Sequence, residues 1–374
     1  MRIELLVGAE EFWTRMCEDL RGAKESAYIQ TFSFEGDRVG TRLGREMQRA
    51  SAADRRLFID SYSLLYHSDR LVLGPAWRSR SLRTEVALTH RWVRRLRDEG
   101  VGVRFGNPLG PWPIRLARRS HKKIAAFDDR VVYLGGINFS EHNFAWHDMM
   151  LRVESPVLAR LLSDDYRASW VGRPIAFDRC VDPFRVLSLN GRGNAEGFRP
   201  LLDAIDGAAR SIDVISAYLS HPFTGYLARA RERGVRVRLL MPGANNKSNL
   251  ARHMVERAAR AGFELLRFPG MSHMKAMMID GEQLVFGSSN FDFMSYHVLE
   301  EHVVMTRDPD VIRSFVDRVW TPDTARSVAS PVRSSLGTRL GDAAVRVGAG
   351  LAARLALPTE GARRSVLDPS IRRT

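Results

Sequence analysis

His121, Lys123 and Asp128 spell the pattern His-x-Lys-x4-Asp, and His273, Lys275 and Asp280 spell it again 152 residues later. Asn138 and Asn290 are also 152 apart, so the register persists beyond the motif. Of the 57 Lys+Arg residues only five are lysines, at 24, 122, 123, 247 and 275. A lysine at the same place in both repeats of so arginine-biased a chain indicates that a compact ammonium is needed there. Lysine brings a mobile point charge to a phosphate, and histidine can attack or protonate. Exchange at a phosphodiester by covalent catalysis needs a nucleophile, an acid for the leaving alkoxide and donors for the equatorial oxygens. Two histidines, two lysines and two asparagines brought to one interface would supply all three. This chemistry requires no metal or cofactor, and no His/Cys/Asp grouping has metal-ligand spacing.

Strand alternation along HKKIAAFD and HMKAMMID puts each histidine and its lysine on one face. Asp128 and Asp280 complete the catalytic motif, yet they lie seven residues after the histidines, on the opposite face by strict alternation. They are expected to fix the strand or reach the other half rather than touch substrate. Asn138 and Asn290 end GGIN and GSSN, whose small residues let backbone approach a ligand, and both are read as phosphate-binding. Ser288 adds a hydroxyl where the first repeat has Gly136. Asp148 and Glu300 each follow an asparagine by ten residues, placed to bind an imidazole nitrogen and set the tautomer of each motif histidine; Glu301 is the alternative to Glu300. His147 and His302 flank these acids. Tyr218, His221 and Lys247 are further candidates for substrate contact.

The elements that must position these groups occur twice in the same order. Segments 26–34, 55–60 and 101–105 read as strands, with helices over 38–52 and 82–100 between them. Segments 211–218, 235–243 and 263–268 repeat this, with helices ending at Gly234 and covering 249–262. Each half then ends in two short strands that carry the motif. Strands alternating with amphipathic helices predict an α/β fold with a sheet in each half. The offset between halves shrinks from 185 at the first strand to 152 at the motifs, so the first half has extra residues at 61–82 and 106–120. The second insert ends at His121 and mixes Leu109, Trp112, Ile114 and Leu116 with Arg115, Arg118 and Arg119. It reads either as a lip able to meet apolar chains and phosphates together or as a cover packed on its own domain. The expected division is 1–175, 176–325 and 326–374.

A chain of 374 residues can hold two or three domains with their own cores. Cys17 and Cys180 make no disulfide framework. The formal net charge of +14 points to an anionic partner, an acidic lipid surface or nucleic acid. Glu4, Glu10 and Glu11 argue against a signal peptide at the start, and no run reaches the ~18–20 apolar residues of a spanning helix. Membrane contact is therefore expected to be peripheral. From Ser334 to Leu357, Leu336, Leu340, Ala344, Val347, Leu351 and Leu355 recur at helical spacing among Arg339, Arg346 and Arg354. This basic amphipathic helix suits a membrane interface or packing on the catalytic body. The tail after Pro358 reads as disordered.

The segments SHKKIAAFDDRVVYLGGINFSEHNFAWHDMMLRVES and MSHMKAMMIDGEQLVFGSSNFDFMSYHVLEEHVV closely resemble the phospholipase D superfamily, over about residues 1–325. LLMPG, FPGMSHMKAMMID and GSSNFDFMS make the resemblance strongest to bacterial cardiolipin synthases. That resemblance implies two tandem domains, each a mixed β-sheet flanked by helices, meeting as a pseudo-twofold pair around one site. It implies ping-pong catalysis without metal through a phosphohistidine, with His121 as nucleophile and His273 as acid, or the reverse. Lys123, Lys275, Asn138, Asn290 and Ser288 would hold the phosphate, and Asp148 and Glu300 would orient the histidines. The implied reaction passes a phosphatidyl group from phosphatidylglycerol to a lipid alcohol at an anionic membrane. The implied location is cytoplasmic, peripheral on the inner face of the cell membrane. A phospholipase D hydrolase and a nuclease of the same superfamily are the alternatives; nucleic acid as partner is the weaker of them. Where relatives carry Asn-Phe-Glu after the second motif, this chain has Val-Leu-Glu-Glu.

Overall fold

The structure, a computed structural model, describes residues 1–72, 78–109 and 116–356. The first half contributes β1 (Arg2–Val7), β2 (Ser26–Thr31), β3 (Asp54–Asp60), a small hairpin β4 (Tyr66–His67) and β5 (Arg70–Leu71), β6 (Gly102–Gly106), β7 (Ile124–Phe127), β8 (Val131–Gly135) and β9 (Met149–Glu154). The second contributes β10 (Phe177–Val181), β11 (Phe184–Asn190), β12 (Ser211–Ser216), β13 (Arg236–Pro242), β14 (Glu264–Phe268), β15 (Lys275–Ile279), β16 (Gln283–Gly287), β17 (Glu300–Thr306) and β18 (Val328–Ala329). The first sheet runs β1-β9-β8-β7-β2-β3-β6 and the second β10-β11-β17-β16-β15-β12-β13-β14-β18. In each, three neighbouring strands are parallel and the motif strands antiparallel, so both sheets are mixed. The central strands β2, β7 and β8 are buried along their whole length, which is why they read as apolar runs rather than alternating ones.

The halves share a core. Tyr28, Ile124, Val132 and Leu151 of the first sheet pack in one cluster with Ile215, Ala276, Phe286 and Val304 of the second. Two further cores lie under the outer helices, one in each half. The helix Pro156–Trp170 puts Leu158, Leu162 and Tyr166 into the shared core, and Ser155 caps it by accepting from the Leu158 N–H. A site between the halves thus sits on a packed joint.

Asp128 and Asp280 correct the reading of the motif. Both have positive φ, 55° and 56°, in turns at the far end of the motif strands, roughly 16 Å along the chain from the lysines. Asp128 accepts the backbone N–H groups of Lys24, Glu25 and Ser26 at 2.8, 2.8 and 2.9 Å. Asp280 accepts those of Ala209, Arg210 and Ser211 at 2.9, 2.6 and 2.8 Å. Each ties the chain entering the sheet to the motif turn and touches no catalytic group. Burial alone would raise the Asp280 carboxyl, but the three N–H bonds outweigh it and hold it low. Its contribution is therefore present above the unfolded carboxylate pKa and is lost as pH falls through the folded one. Asp280→Ala should cost about 2 kcal/mol, lowering Tm by roughly 4–8 °C, with turnover per folded molecule retained; thermal melts beside active-site titration check this.

Residues 326–356 are not separate from the second half. β18 pairs with β14, and the helix Leu336–Ala356 packs antiparallel on the helix Ser248–Ala261. A Cβ at Gly341 would stand 2.5 Å from that of Arg252, so the small residues set how closely these helices approach. Val345, Ala349 and Ala352 face inward, while Leu336, Leu340, Val347 and Leu351 are 55–75% exposed. One face is thus packed on the catalytic body, and the other is open to solvent. No helix among the described residues is long and apolar enough to cross a membrane.

Candidate active site

Each motif histidine is anchored to the acid-bearing segment of the other half. The His121 N–H donates to the Glu300 carbonyl at 2.9 Å, and the His273 N–H donates to the His147 carbonyl at 2.8 Å. The side chains follow the exchange. His121 Nδ1 lies 3.0 and 3.2 Å from the Glu301 oxygens, and His273 Nδ1 lies 2.8 Å from Asp148 Oδ2. A carboxylate at Nδ1 accepts the Nδ1–H hydrogen bond, which fixes the tautomer and leaves Nε2 with the lone pair. Both rings line one cleft of about 340 Å³ between the halves.

Glu300, expected to orient a histidine, does not touch one: its carboxylate accepts from Asn107 Nδ2 at 2.9 Å. The reason is a slip of one residue. Gly135 pairs with Met150, but Gly287, its equivalent 152 positions on, pairs with Val303 rather than residue 302. The short helix Phe293–His297 is one residue longer than Glu141–Phe144, so Glu301 takes the place equivalent to Asp148. Ser288 is also corrected. Its hydroxyl donates to Glu301 rather than facing the cleft, and Ser295 Oγ donates to the same carboxylate at 2.6 Å. In the first half a Cβ at position 136 would stand 2.4 Å from both Asp148 oxygens, so only glycine fits there.

Lys123 and Lys275 are buried and fold back, the first donating to its own His121 carbonyl at 2.6 Å. Lys275 Nζ reaches the His273 carbonyl, lies 2.7 Å from His273 Nδ1 and 3.8 Å from Asp148. Asn138 lines the cleft, accepting from Ser33 N–H and donating to Asn143 Oδ1, both at 3.3 Å. Asn290 lines it too, and its buried Oδ1 has no hydrogen-bond partner among the described residues. These amides and ammoniums fit a phosphate oxyanion; among the described residues no three His, Cys, Asp or Glu are grouped to hold a metal.

Burial governs the protonation of the site. It lowers His121 against the pull of Glu301, and with Lys275 it takes His273 down to about 3. Burial also lowers Lys123 to about 7 and Lys275 to about 8. Asp148 and Glu301 stay low despite burial because Lys275 and His121 face them. The empty site therefore has two neutral imidazoles, and its lysines lose charge as pH rises through about 7–8. If the charged lysines serve a phosphate, kcat/KM falls on the alkaline side with an apparent pKa in this range. A profile flat to pH 10 in a soluble diester assay would contradict this.

Several site residues carry no motif. Phe32, Tyr62 and Tyr66 stack at 4.5 Å steps, with Phe32 against the His121 ring at 4.8 Å. Trp146 and Tyr218 flank His273 at 5.2 and 5.9 Å. Leu116 and Arg119 of the second insert line the cleft; Trp112, Ile114 and Arg115 lie outside the described residues. Lys247 also lines it, while His221 does not. His147 and His302 turn away, to Asp323 and Asp165 at 2.8 Å each. Beneath the site, Lys122 donates to Asp165 and to Ser188 Oγ at 2.8 Å, crossing between halves. The aromatic walls and this buried link depend on pairings between distant segments, which no local pattern announces.

The family model described as cardiolipin synthase, PLD-like domain, matches residues 16–170 and 201–320. Cardiolipin synthase A of Pseudomonas syringae pv. syringae (strain B728a) is 27% identical over 370 residues, 90% of this chain and 71% of that protein. Cardiolipin synthase A of Pseudomonas fluorescens (strain SBW25) is 26% identical, over 82% of this chain and 65% of its own length. Cardiolipin synthase B of Salmonella typhi is 24% identical, over 81% of this chain and 76% of its own length. The chain thus spans about two thirds to three quarters of these relatives. Among solved structures, phosphatidylserine synthase of Haemophilus influenzae Rd KW20 superposes with a TM-score of 0.68 at 15% identity, over 95% of both chains. Polyphosphate kinase of Porphyromonas gingivalis superposes with a TM-score of 0.58 at 13% identity, covering 93% of this chain and 56% of that one. These likenesses establish the fold.

Proposed function

The chain belongs to the cardiolipin synthase, PLD-like domain family of phospholipase D enzymes, and from that premise we propose that it transfers a phosphatidyl group from phosphatidylglycerol to a second lipid alcohol. One observation carries the reading: each motif histidine has its Nδ1 held by a carboxylate of the other half, with both rings lining one cleft. In the first step His121 Nε2 attacks phosphorus, a P–N bond forms and the P–O bond to the leaving alcohol breaks. His273 gives that alcohol its proton. In the second step the acceptor hydroxyl returns a proton to His273 as its oxygen displaces the His121 nitrogen. His273 is neutral in the empty site, and the phosphodiester anion between the rings raises its proton affinity. Lys123, Lys275, Asn138 and Asn290 hold the equatorial oxygens.

The C-terminal helix supports work at an anionic lipid surface. Its exposed Leu336, Leu340, Val347 and Leu351 lie beside Arg339, Arg346 and Arg354, and the chain carries a net charge of +14. Gly348 packs against Phe293, next to Met294, which lines the cleft with Leu250 of the partner helix. The helix that carries the apolar stripe therefore stands beside the cleft, and the protein is read as peripheral on the cytoplasmic face of the membrane.

Incubation with phosphatidylglycerol vesicles, followed by mass spectrometry, tests the reading: cardiolipin and glycerol are expected. Phosphatidic acid alone would replace it with hydrolysis. No lipid product together with cleavage of DNA would overturn it.

A further inference from the structure

The cleft that holds the phosphate donors also holds three carboxylates, Glu35, Asp69 and Asp292, of which Glu35 is paired with a histidine. Glu35, only 2% exposed, lines it together with His142 and Asn143. Glu35 Oε1 accepts the Ser68 N–H at 2.9 Å, and Oε2 lies 3.6 Å from His142 Nδ1. His142 Nε2 lies 2.7 Å from Asn143 Nδ2, and Asn143 Oδ1 accepts from the phosphate-side Asn138. Burial works against both charges, yet each stabilises the other, so Glu35 is held low and His142 high. On the far side of this pair a second cavity of about 580 Å³ is lined by Ser68, Ser81, Thr84 and Glu85.

A fixed carboxylate repels a phosphodiester, so its place in the lining calls for another part of the substrate. We propose that Glu35 and His142 form the alcohol subsite, which takes the adjacent hydroxyls of a glycerol-like headgroup. This rests on the transfer reading above. The Glu35 carboxylate offers acceptor lone pairs to the hydroxyls, while His142, whose Nδ1 also lies 3.2 Å from Ser140 Oγ and whose Nε2 lies 2.7 Å from Asn143 Nδ2, holds that carboxylate in place. An ammonium headgroup has donors only and would meet the His142 imidazolium. Asn143 Oδ1, which takes one hydrogen bond from Asn138, has a second lone pair for a neighbouring hydroxyl.

The position also assigns the two steps. The Trp146 ring lies 5.2 Å from the His142 ring and 5.2 Å from the His273 ring, so the subsite is on the His273 side. In-line displacement keeps nucleophile and leaving alcohol on opposite sides of phosphorus. Alcohol beside His273 therefore means attack from His121.

The test uses the whole protein with bis(p-nitrophenyl) phosphate, and water, glycerol or ethanol as competing acceptors. Release of p-nitrophenolate forms the intermediate; the ratio of alcohol ester to hydrolysed product reports the acceptor step and does not depend on how much protein is folded. Wild type should favour glycerol over ethanol. In Glu35→Gln and in His142→Gln the glycerol-to-water ratio should fall about tenfold or more, and the preference over ethanol should vanish. An unchanged ratio, or an equal fall for both alcohols, overturns the subsite. Glycerol transfer from the synthetic diester without turnover of phosphatidylglycerol would leave the subsite standing and remove only the lipid reading.

Discussion

His121→Ala should lower phosphodiester turnover by about four orders of magnitude or more and abolish the covalent intermediate. The groups beside the ring are engaged elsewhere: Lys123 turns back to the His121 carbonyl and Glu301 is occupied by Nδ1 and two serine hydroxyls. His273→Ala should separate the two steps. A lipid alkoxide needs a proton to leave, so lipid turnover should fall by about 10²–10⁴. A p-nitrophenyl diester needs none, so the phosphorylated protein should still form, and it should accumulate for want of a base to activate the acceptor. Intact-mass measurement and peptide mapping after a quench above neutral pH would find the phosphate on His121. An adduct on His273 in the His121→Ala protein would reverse the assignment.

Glu301→Gln should reduce turnover by about 10³–10⁴, while Glu300→Gln should stay within about tenfold of wild type. An amide at 301 can offer its NH₂ to His121 Nδ1, which moves the ring proton to Nε2 and removes the attacking lone pair. The two carboxylates are adjacent in sequence and point to different partners. Glu301 serves His121, and Glu300 serves Asn107 on the insert side. Burial already raises the Glu300 carboxyl, so a neutral amide of the same shape suits its site. Measuring both variants with melts to account for folding would expose a wrong register: a large loss at 300 with little at 301 is the opposite result.

Much of the site was legible because its chemistry is repeated. The two histidines, two lysines and two asparagines lie at fixed offsets in matching strands, and duplication made their types meaningful. Asp128 and Asp280 share the same spacing, but alternation turned them away from the cleft, and the structure gives them backbone N–H groups to hold. The acids were the boundary case. An offset of 152 is right up to Asn290, and one added residue in a short helix displaces everything after it. A single-residue slip in a strand reverses which side chain faces the site, and it cannot be read from spacing when the inserted residue lies in a turn.

The sequence by itself determined the α/β architecture in two halves and the expectation of phosphate chemistry at six repeated groups, since alternation, amphipathic period and residue type are local properties. Only the tertiary structure decided which acid serves which histidine, that Ser288 supports Glu301 and that Glu35 and His142 stand in the cleft. It also divided the C-terminal helix into a packed face and an exposed one. These are contacts between segments a hundred or more residues apart, or between faces of neighbouring elements. The register and close packing of the shared core set them, and no one segment contains that information.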